Sequence, residues 1–173
     1  MNNVCNFWFL LFLSTLNSCQ STPPDYFEIA IELNDEMETA FNEGNMNKLA
    51  AIYADNGYLL SKNRPAIHGR KAIDAYWQKW HTPINWTLDV IDVSQKEQDI
   101  YEHEYWENKN TKPKHWKEEE IEIGDANVFY QIGHSKIDYE SDDGVHRTNE
   151  IDFIIVWIKG GDGYYYILVD TYV

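Results

Sequence analysis

Ile151-Asp152-Phe153-Ile154-Ile155-Val156-Trp157-Ile158-Lys159-Gly160-Gly161-Asp162-Gly163-Tyr164-Tyr165-Tyr166-Ile167-Leu168-Val169-Asp170-Thr171-Tyr172 is the stretch that decides the fold. It holds two β-branched and aromatic runs joined by a glycine-rich turn, which is the pattern of a β-hairpin. Working back toward the N-terminus, Val128 to Tyr139 is a third such run, Trp86/Leu88/Val90 alternate, and Ile121/Ile123 alternate with Glu120/Glu122. All three read as strands. The stretch from Glu107 to His115, between Trp106 and Trp116, is polar and reads as an exposed loop.

Before the strands the period changes. Tyr26, Ala30, Leu33, Met37 and Phe41 recur at spacings of three and four, one apolar face of a helix that Gly44 ends. Asn45 can cap a second helix carrying Met46, Leu49, Ala50 and Tyr53 on one side, closed by a turn at Asp55-Asn56-Gly57. Tyr58-Leu59-Leu60 is a short strand candidate and Asn63-Arg64-Pro65 a loop. Gly69 opens a third helix with Ile73, Tyr76, Trp77 and Trp80 as an aromatic stripe, which Pro83 stops. Three helices followed by antiparallel strands predict an α+β domain with the helices on one face of a curved sheet.

The first residues have a different character. No charged residue precedes Asp25, and Phe7 to Leu13 is a continuous apolar run, shorter than the ~20 residues that span a bilayer but suited to a signal peptide. Leu16-Asn17-Ser18-Cys19 follows it and resembles the lipobox of bacterial lipoproteins, which implies cleavage before Cys19 and acylation there. The expected organisation is a leader over 1–18, a tether over 19–25 and one domain over 26–173. The expected location is the bacterial cell envelope, anchored to a membrane through Cys19, with a secreted or periplasmic protein as the alternative. With Cys5 inside the leader, no disulfide braces the mature domain. The net charge of -15, from 29 acidic and 14 basic residues, repels phosphate backbones and excludes nucleic acid as a natural partner.

Several ordered motifs then carry a family resemblance. Phe41-Asn42-Glu43-Gly44-Asn45, Leu49 to Asn56, His68-Gly69-Arg70-Lys71-Ala72-Ile73 with Tyr76-Trp77, Gly124-Asp125-Ala126, Val156 to Lys159, and Asp162 to Ile167 with Asp170-Thr171-Tyr172 resemble SnoaL-like domains of the nuclear transport factor 2-like superfamily. The resemblance spans about residues 26 to 173, broken by a longer region around 92 to 116. It implies a cone of three helices wrapped by a curved antiparallel sheet, open over an apolar pocket, in a family of frequent dimers that includes isomerases, cyclases, dehydratases and binding proteins. Fold does not choose among these.

Strand parity places Asp152, Ile154, Val156 and Ile158 on one face, Tyr166, Leu168, Asp170 and Tyr172 on another, and Tyr130, Ile132 and His134 on a third. The resemblance implies that these faces line the pocket. Asp152, Asp170 and His134 are then candidate catalytic residues, because a carboxyl among apolar groups has its charged form disfavoured and becomes an acid or base near neutral pH. Equally, Asp170 can brace a strand end, Asp152 can pair with Arg147 or a tyrosine hydroxyl, and His134 can be a core histidine. Tyr53, Trp77, Trp80, Tyr130, Ile132, Ile154, Tyr166, Leu168 and Tyr172 are the candidate ligand-binding wall.

The ketosteroid isomerase pattern is absent: its shuttling acid falls near Ser61, its tyrosine near Met37 and its second acid near Ile154. Glu102, His103 and Glu104 alternate in direction and do not converge on a metal, and no cofactor fingerprint occurs. The leading expectation is a lipid-anchored domain that binds a small apolar or aromatic ligand. The alternatives are an isomerase, lyase or hydrolase using the three candidates, and a protein-binding module with a filled cone. A homodimer is expected through Trp157, Tyr165 and Ile167, on the face opposite the pocket.

Overall fold

A computed structural model describes residues 24–173 apart from 63, 81, 82, 125, 126 and 142. The expected leader, Cys5 and the lipid-accepting Cys19 lie outside the described residues.

Helix α1 (Tyr26–Asn42) starts where the Asp25 carboxylate accepts the amides of Phe27 and Glu28 at 3.1 and 3.4 Å. It buries Ala30, Met37, Ala40 and Phe41, close to the stripe that its period predicts. Asn45 caps α2 (Met46–Ala51) as expected, accepting from Lys48 N at 3.0 Å. The helix is shorter than expected. Tyr53 belongs to strand β1 (Tyr53–Ser61), because the backbone around it is already committed elsewhere: the Arg70 guanidinium binds the Ala50 and Tyr53 carbonyls, and Ile167 N donates to Ile52 O at 2.9 Å. The turn expected at Asp55 to Gly57 is the irregular stretch of β1 between its paired residues Tyr53 and Tyr58.

The loop expected around Arg64 is strand β2 (Arg64–His68). It forms one edge of the sheet, where the missing N–H of Pro65 is tolerated. Helix α3 (Arg70–Trp77) follows Gly69, whose φ of 82 suits glycine. Strands β3 (Pro83–Ser94), β4 (Val128–Glu140), β5 (His146–Lys159) and β6 (Tyr165–Tyr172) complete a curved, unclosed six-stranded sheet in the order β2-β1-β6-β5-β4-β3. Among the described strands only β1 and β6 pair in parallel.

Helix α1 is fastened to the opposite edge strand by its polar residues. Asn34, Glu38 and Asn42 stand four residues apart on one helix face. Asn34 Nδ2 donates to Leu88 O at 3.5 Å, Glu38 accepts from Leu88 N at 2.6 Å, and Asn42 both accepts from Trp86 N at 2.7 Å and donates to Trp86 O at 3.2 Å. Beneath them Trp157 Nε1 donates to Gln131 Oε1 at 2.8 Å, and Gln131 Nε2 donates to Asn34 at 3.1 Å, so the buried amides are paired.

The exposed loop expected from Glu107 to His115 is found in part: Glu107 to Lys109 end a helix, Asn110 to His115 is irregular chain, and Glu107 to Asn110 and Lys112 are exposed while Pro113 is buried, within a longer region that is largely folded. That region, between β3 and β4, folds into α4 (Glu97–Tyr101), α5 (Glu104–Lys109) and a 3-10 turn at Trp116–Glu119, and it covers the face of the sheet opposite α1–α3. Ile100, Trp106, Trp116 and Ile121 are buried there against Tyr130, Ile132, Ile154, Val156, Leu168 and Val169. The expected strand at Ile121/Ile123 is irregular chain closing this second core. Both faces of β4 and β5 are therefore covered over residues 128–133 and 153–157. The exposed dimer patch expected at Trp157 and Ile167 is corrected by the same fact: both are fully buried in the core under α1–α3, and Tyr165 packs beside them.

Packing at Gly133 is the tightest consequence. A Cβ there would lie 2.1 Å from the ring of Phe153, which is itself buried. Gly133→Ala is expected to cost about 1–3 kcal/mol in urea unfolding, as overpacking does, whereas Gly161→Ala, with nothing within 4 Å, should stay within about 0.5 kcal/mol of wild type.

Candidate functional site

A cavity of about 530 Å³ opens where the wide end of the sheet meets α3. Trp77, Tyr76 and Trp80 form one wall; Ile137 and Tyr139 of β4, Ile151 of β5 and Tyr172 of β6 form the other. Polar groups are few and stand at Ser61, Lys62, Arg64, Ser135 and Asn149. The strands sort these residues by parity, since Ser135, Ile137 and Tyr139 face inward while Lys136 reaches Glu150 and Asp138 reaches Thr148 elsewhere.

The acid below this cavity is placed by a β-bulge. Val156 pairs with Val169 but Trp157 pairs with Ile167, so Leu168 is an extra residue in β6 and the strand changes face after it. The expected common face of Tyr166, Leu168, Asp170 and Tyr172 is therefore corrected. Leu168 packs in the second core and Tyr166 bonds Asp162 at 2.6 Å in the hairpin, while Asp170 and Tyr172 turn toward α3. Tyr53 and Tyr172 each donate a hydroxyl to Asp170 Oδ2, at 2.6 and 3.0 Å. Asp170 Oδ1 and Trp77 Nε1 are buried without a hydrogen-bond partner among the described residues.

Asp170 is 1% exposed. Burial pushes its carboxyl from an ordinary 3.8 up to about 6, against the opposing pull of the two tyrosine hydroxyls. Burial, and then the neighbouring Asp170, raise Tyr53 and Tyr172 well above the usual phenol range. The arrangement is a carboxyl that changes charge near neutral pH, one side chain behind a cavity wall that includes its partner Tyr172.

His134 and Asp152 are brought together, away from Asp170. They are directly opposite in the β4–β5 ladder, with His134 Nδ1 and Asp152 Oδ1 2.7 Å apart. Tyr105 of α5 donates to the same oxygen at 2.7 Å, and Lys109 Nζ lies 3.5 Å from Oδ2. Burial pushes Asp152 up, but the bonds from His134 and Tyr105 and the charge of Lys109 outweigh it and hold the carboxyl below its usual range. The tyrosine partner expected for Asp152 is thus Tyr105; Arg147 pairs with Asp143 at 3.0 Å. This cluster clamps α5 to the sheet.

Of the expected wall, Trp77, Trp80 and Tyr172 line the cavity. Tyr53 lies behind it with Asp170, whereas Tyr130, Ile132 and Ile154 belong to the second core because they share the face covered by Trp106 and Trp116. Ile137, Tyr139 and Ile151 are cavity residues that parity alone missed; they alternate with acids near a hairpin end, and only the choice of face selects them. Of the positions aligned with the isomerase pattern, Ser61 lines the cavity, Met37 is core and Ile154 lies on the other face.

A curved sheet backed by helices, with a cavity between them, defines a class of α+β domains, and the comparisons agree with it. The model of the SnoaL-like domain matches residues 35–136, and the chain belongs to that family. Solved structures share the fold. A ketosteroid isomerase-like protein from Erwinia carotovora atroseptica has TM-score 0.58 at 13% identity, covering 84% of this chain and 93% of its own. ActVI-ORFA from Streptomyces coelicolor has TM-score 0.57 at 11% identity, covering 87% and 97%. An NTF-2-like protein from Shewanella oneidensis has TM-score 0.55 at 13% identity, covering 84% and 96%. No curated protein matches the sequence.

The raised Asp170 has a signed consequence for stability. The folded state holds this proton more tightly than the unfolded chain, so folding is favoured most below the ordinary carboxylate pKa, and that stabilisation is lost as pH rises through the folded value of about 6. The difference in unfolding free energy between wild type and Asp170→Asn should fall by about 3 kcal/mol from pH 3 to pH 7, since one pKa unit is about 1.36 kcal/mol. A flat difference would show that the carboxyl titrates as an ordinary surface acid.

Proposed function

We propose that this SnoaL-like domain binds a small, flat and largely apolar molecule in its cone, held at the bacterial envelope by lipidated Cys19. The observation that carries the binding reading is the cavity of about 530 Å³ walled by Trp77, Trp80, Tyr139 and Tyr172, a size and lining suited to an organic ligand. An open cavity also weighs against a protein-binding module with a filled cone. The support for anchoring is the apolar run that ends at Leu16-Asn17-Ser18-Cys19.

A second reading follows from Asp170. A buried carboxyl held at about 6 and bonded to a tyrosine of the cavity wall has the properties of a general acid or base, and proton transfer of the isomerase or lyase type fits it. In that reading Tyr172, which lines the cavity, relays the proton between substrate and the Asp170 carboxyl behind it, and Tyr53 positions that carboxyl. Asp152 and His134 face the other way, so the three-residue acid–base set is replaced by Asp170 with its two tyrosines.

Two measurements test these readings. The neutral probe 2-naphthalenemethanol should quench tryptophan fluorescence saturably, and Ile151→Trp, which fills the cavity, should weaken its binding at least tenfold; an unaffected affinity in that variant would remove the ligand from the cone. Mass spectrometry of protein recovered from bacterial membranes should find an acylated Cys19 at the N-terminus. An unmodified Cys19 within an intact leader would refute the anchor.

A further inference from the structure

The mouth of the cavity has the opposite charge from the rest of the molecule. The chain carries 29 acidic and 14 basic residues, yet the described cavity lining holds Lys62 and Arg64 and no Asp or Glu. Both cations sit at the tip where β1 turns into β2, with Arg64 paired to Ser61 across the ladder. Among the described residues neither side chain forms a hydrogen bond or an ion pair, although acids elsewhere on the surface engage Arg70, Lys109, Lys114, Lys117, Lys136 and Arg147. The cavity-facing sides of β4 and β5 contribute Ser135, Ile137, Tyr139, Asn149 and Ile151, so that hairpin brings no acidic side chain to the lining, which Val173 completes after β6.

The inner wall is the reverse. Asp170 lies behind it, and Tyr76, which lines the cavity, feels both groups: burial raises its hydroxyl most, Asp170 raises it further, and Arg64 lowers it. An elongated ligand entering this field is oriented with any negative group outward and its apolar body inward. Arg64 supplies a planar fork that matches a carboxylate and Lys62 a point charge beside it.

Resting on the reading of the cone as a ligand pocket, we propose that its ligand is an amphipathic carboxylate, a flat apolar ring system bearing one carboxylate group held at the mouth by Lys62 and Arg64. The aromatic wall takes the body, and the two cations choose the anion over its neutral and cationic counterparts.

Three probes of one shape separate this from the binding reading itself: 2-naphthoate, 2-naphthalenemethanol and 2-naphthylmethylammonium, titrated calorimetrically at pH 7.5. In wild type, 2-naphthoate should bind roughly five- to tenfold tighter than the alcohol, with the ammonium weakest, and this preference should shrink in 1 M salt because exposed charges are screened. The double variant Lys62→Gln, Arg64→Gln should bring the carboxylate-to-alcohol ratio to about one, a ratio from which any change in packing common to the two probes cancels. Equal binding of carboxylate and alcohol by wild type, or a preference that survives in the double variant, overturns the proposal and leaves the cone as a neutral-ligand pocket. Failure of all three probes to bind overturns the pocket reading and this proposal with it.

Discussion

One extra residue in the last strand decides where the chemistry of this molecule lies. Leu168 interrupts the pairing of β6 with β5, and beyond it every side chain changes face. Without that bulge the alternation set by Ile167, which is buried under the helices, would send Asp170 and Tyr172 into the second core. With it, a carboxyl and a tyrosine arrive beside Tyr53, behind the aromatic wall of the cone. The rest of the site is arranged around this delivery. Arg70 holds the Ala50 and Tyr53 carbonyls, which fixes the start of β1, and the parallel pairing of β1 with β6 then sets Leu59 beside Asp170.

The second face shows how a sheet strongly apolar on both sides is finished within one chain. Ile132, Ile154 and Val156 would be exposed on a bare sheet, and the insertion carrying Trp106 and Trp116 covers them. Two forces act on that insertion, and their sizes differ. Truncating a buried tryptophan typically costs about 3–5 kcal/mol, whereas the ion pair of Lys109 with Asp152 is screened by solvent on the lysine side and contributes far less. Packing therefore holds the insertion, and the Asp152, His134, Tyr105 and Lys109 cluster sets its register on the sheet.

The sequence made the helices and the long strands readable because their periods are undisturbed: Ala30, Met37 and Phe41 sit where a helix puts them, and the β4–β5 ladder runs without a shift from Val128 to Glu140. What misled was local and physical. Tyr53 continues a helical spacing but is taken by the sheet through hydrogen bonds from residues far along the chain. The segment from Glu107 to His115 is polar, and its anchors Trp106, Pro113 and Trp116 are too widely spaced to signal a packed cover. For the site, Asp170 could be picked out as an acid in an apolar strand, as could Trp77, Trp80 and Tyr172. Its separation from Asp152 and His134 could not, since β4 is buried on both faces over residues 128–133 and a bulge leaves little trace in composition.

The three polar residues of α1 that meet Trp86 and Leu88 have a consequence beyond fastening a helix. A sheet that does not close has two free margins, each a row of unpaired amides able to recruit a strand from another molecule. Here one margin, β3, has the outward groups of Trp86 and Leu88 occupied by Asn34, Glu38 and Asn42. The other, β2, is five residues long and carries Arg64 and Pro65, which discourage pairing. Both margins thus carry features that work against sheets of neighbouring molecules joining edge to edge.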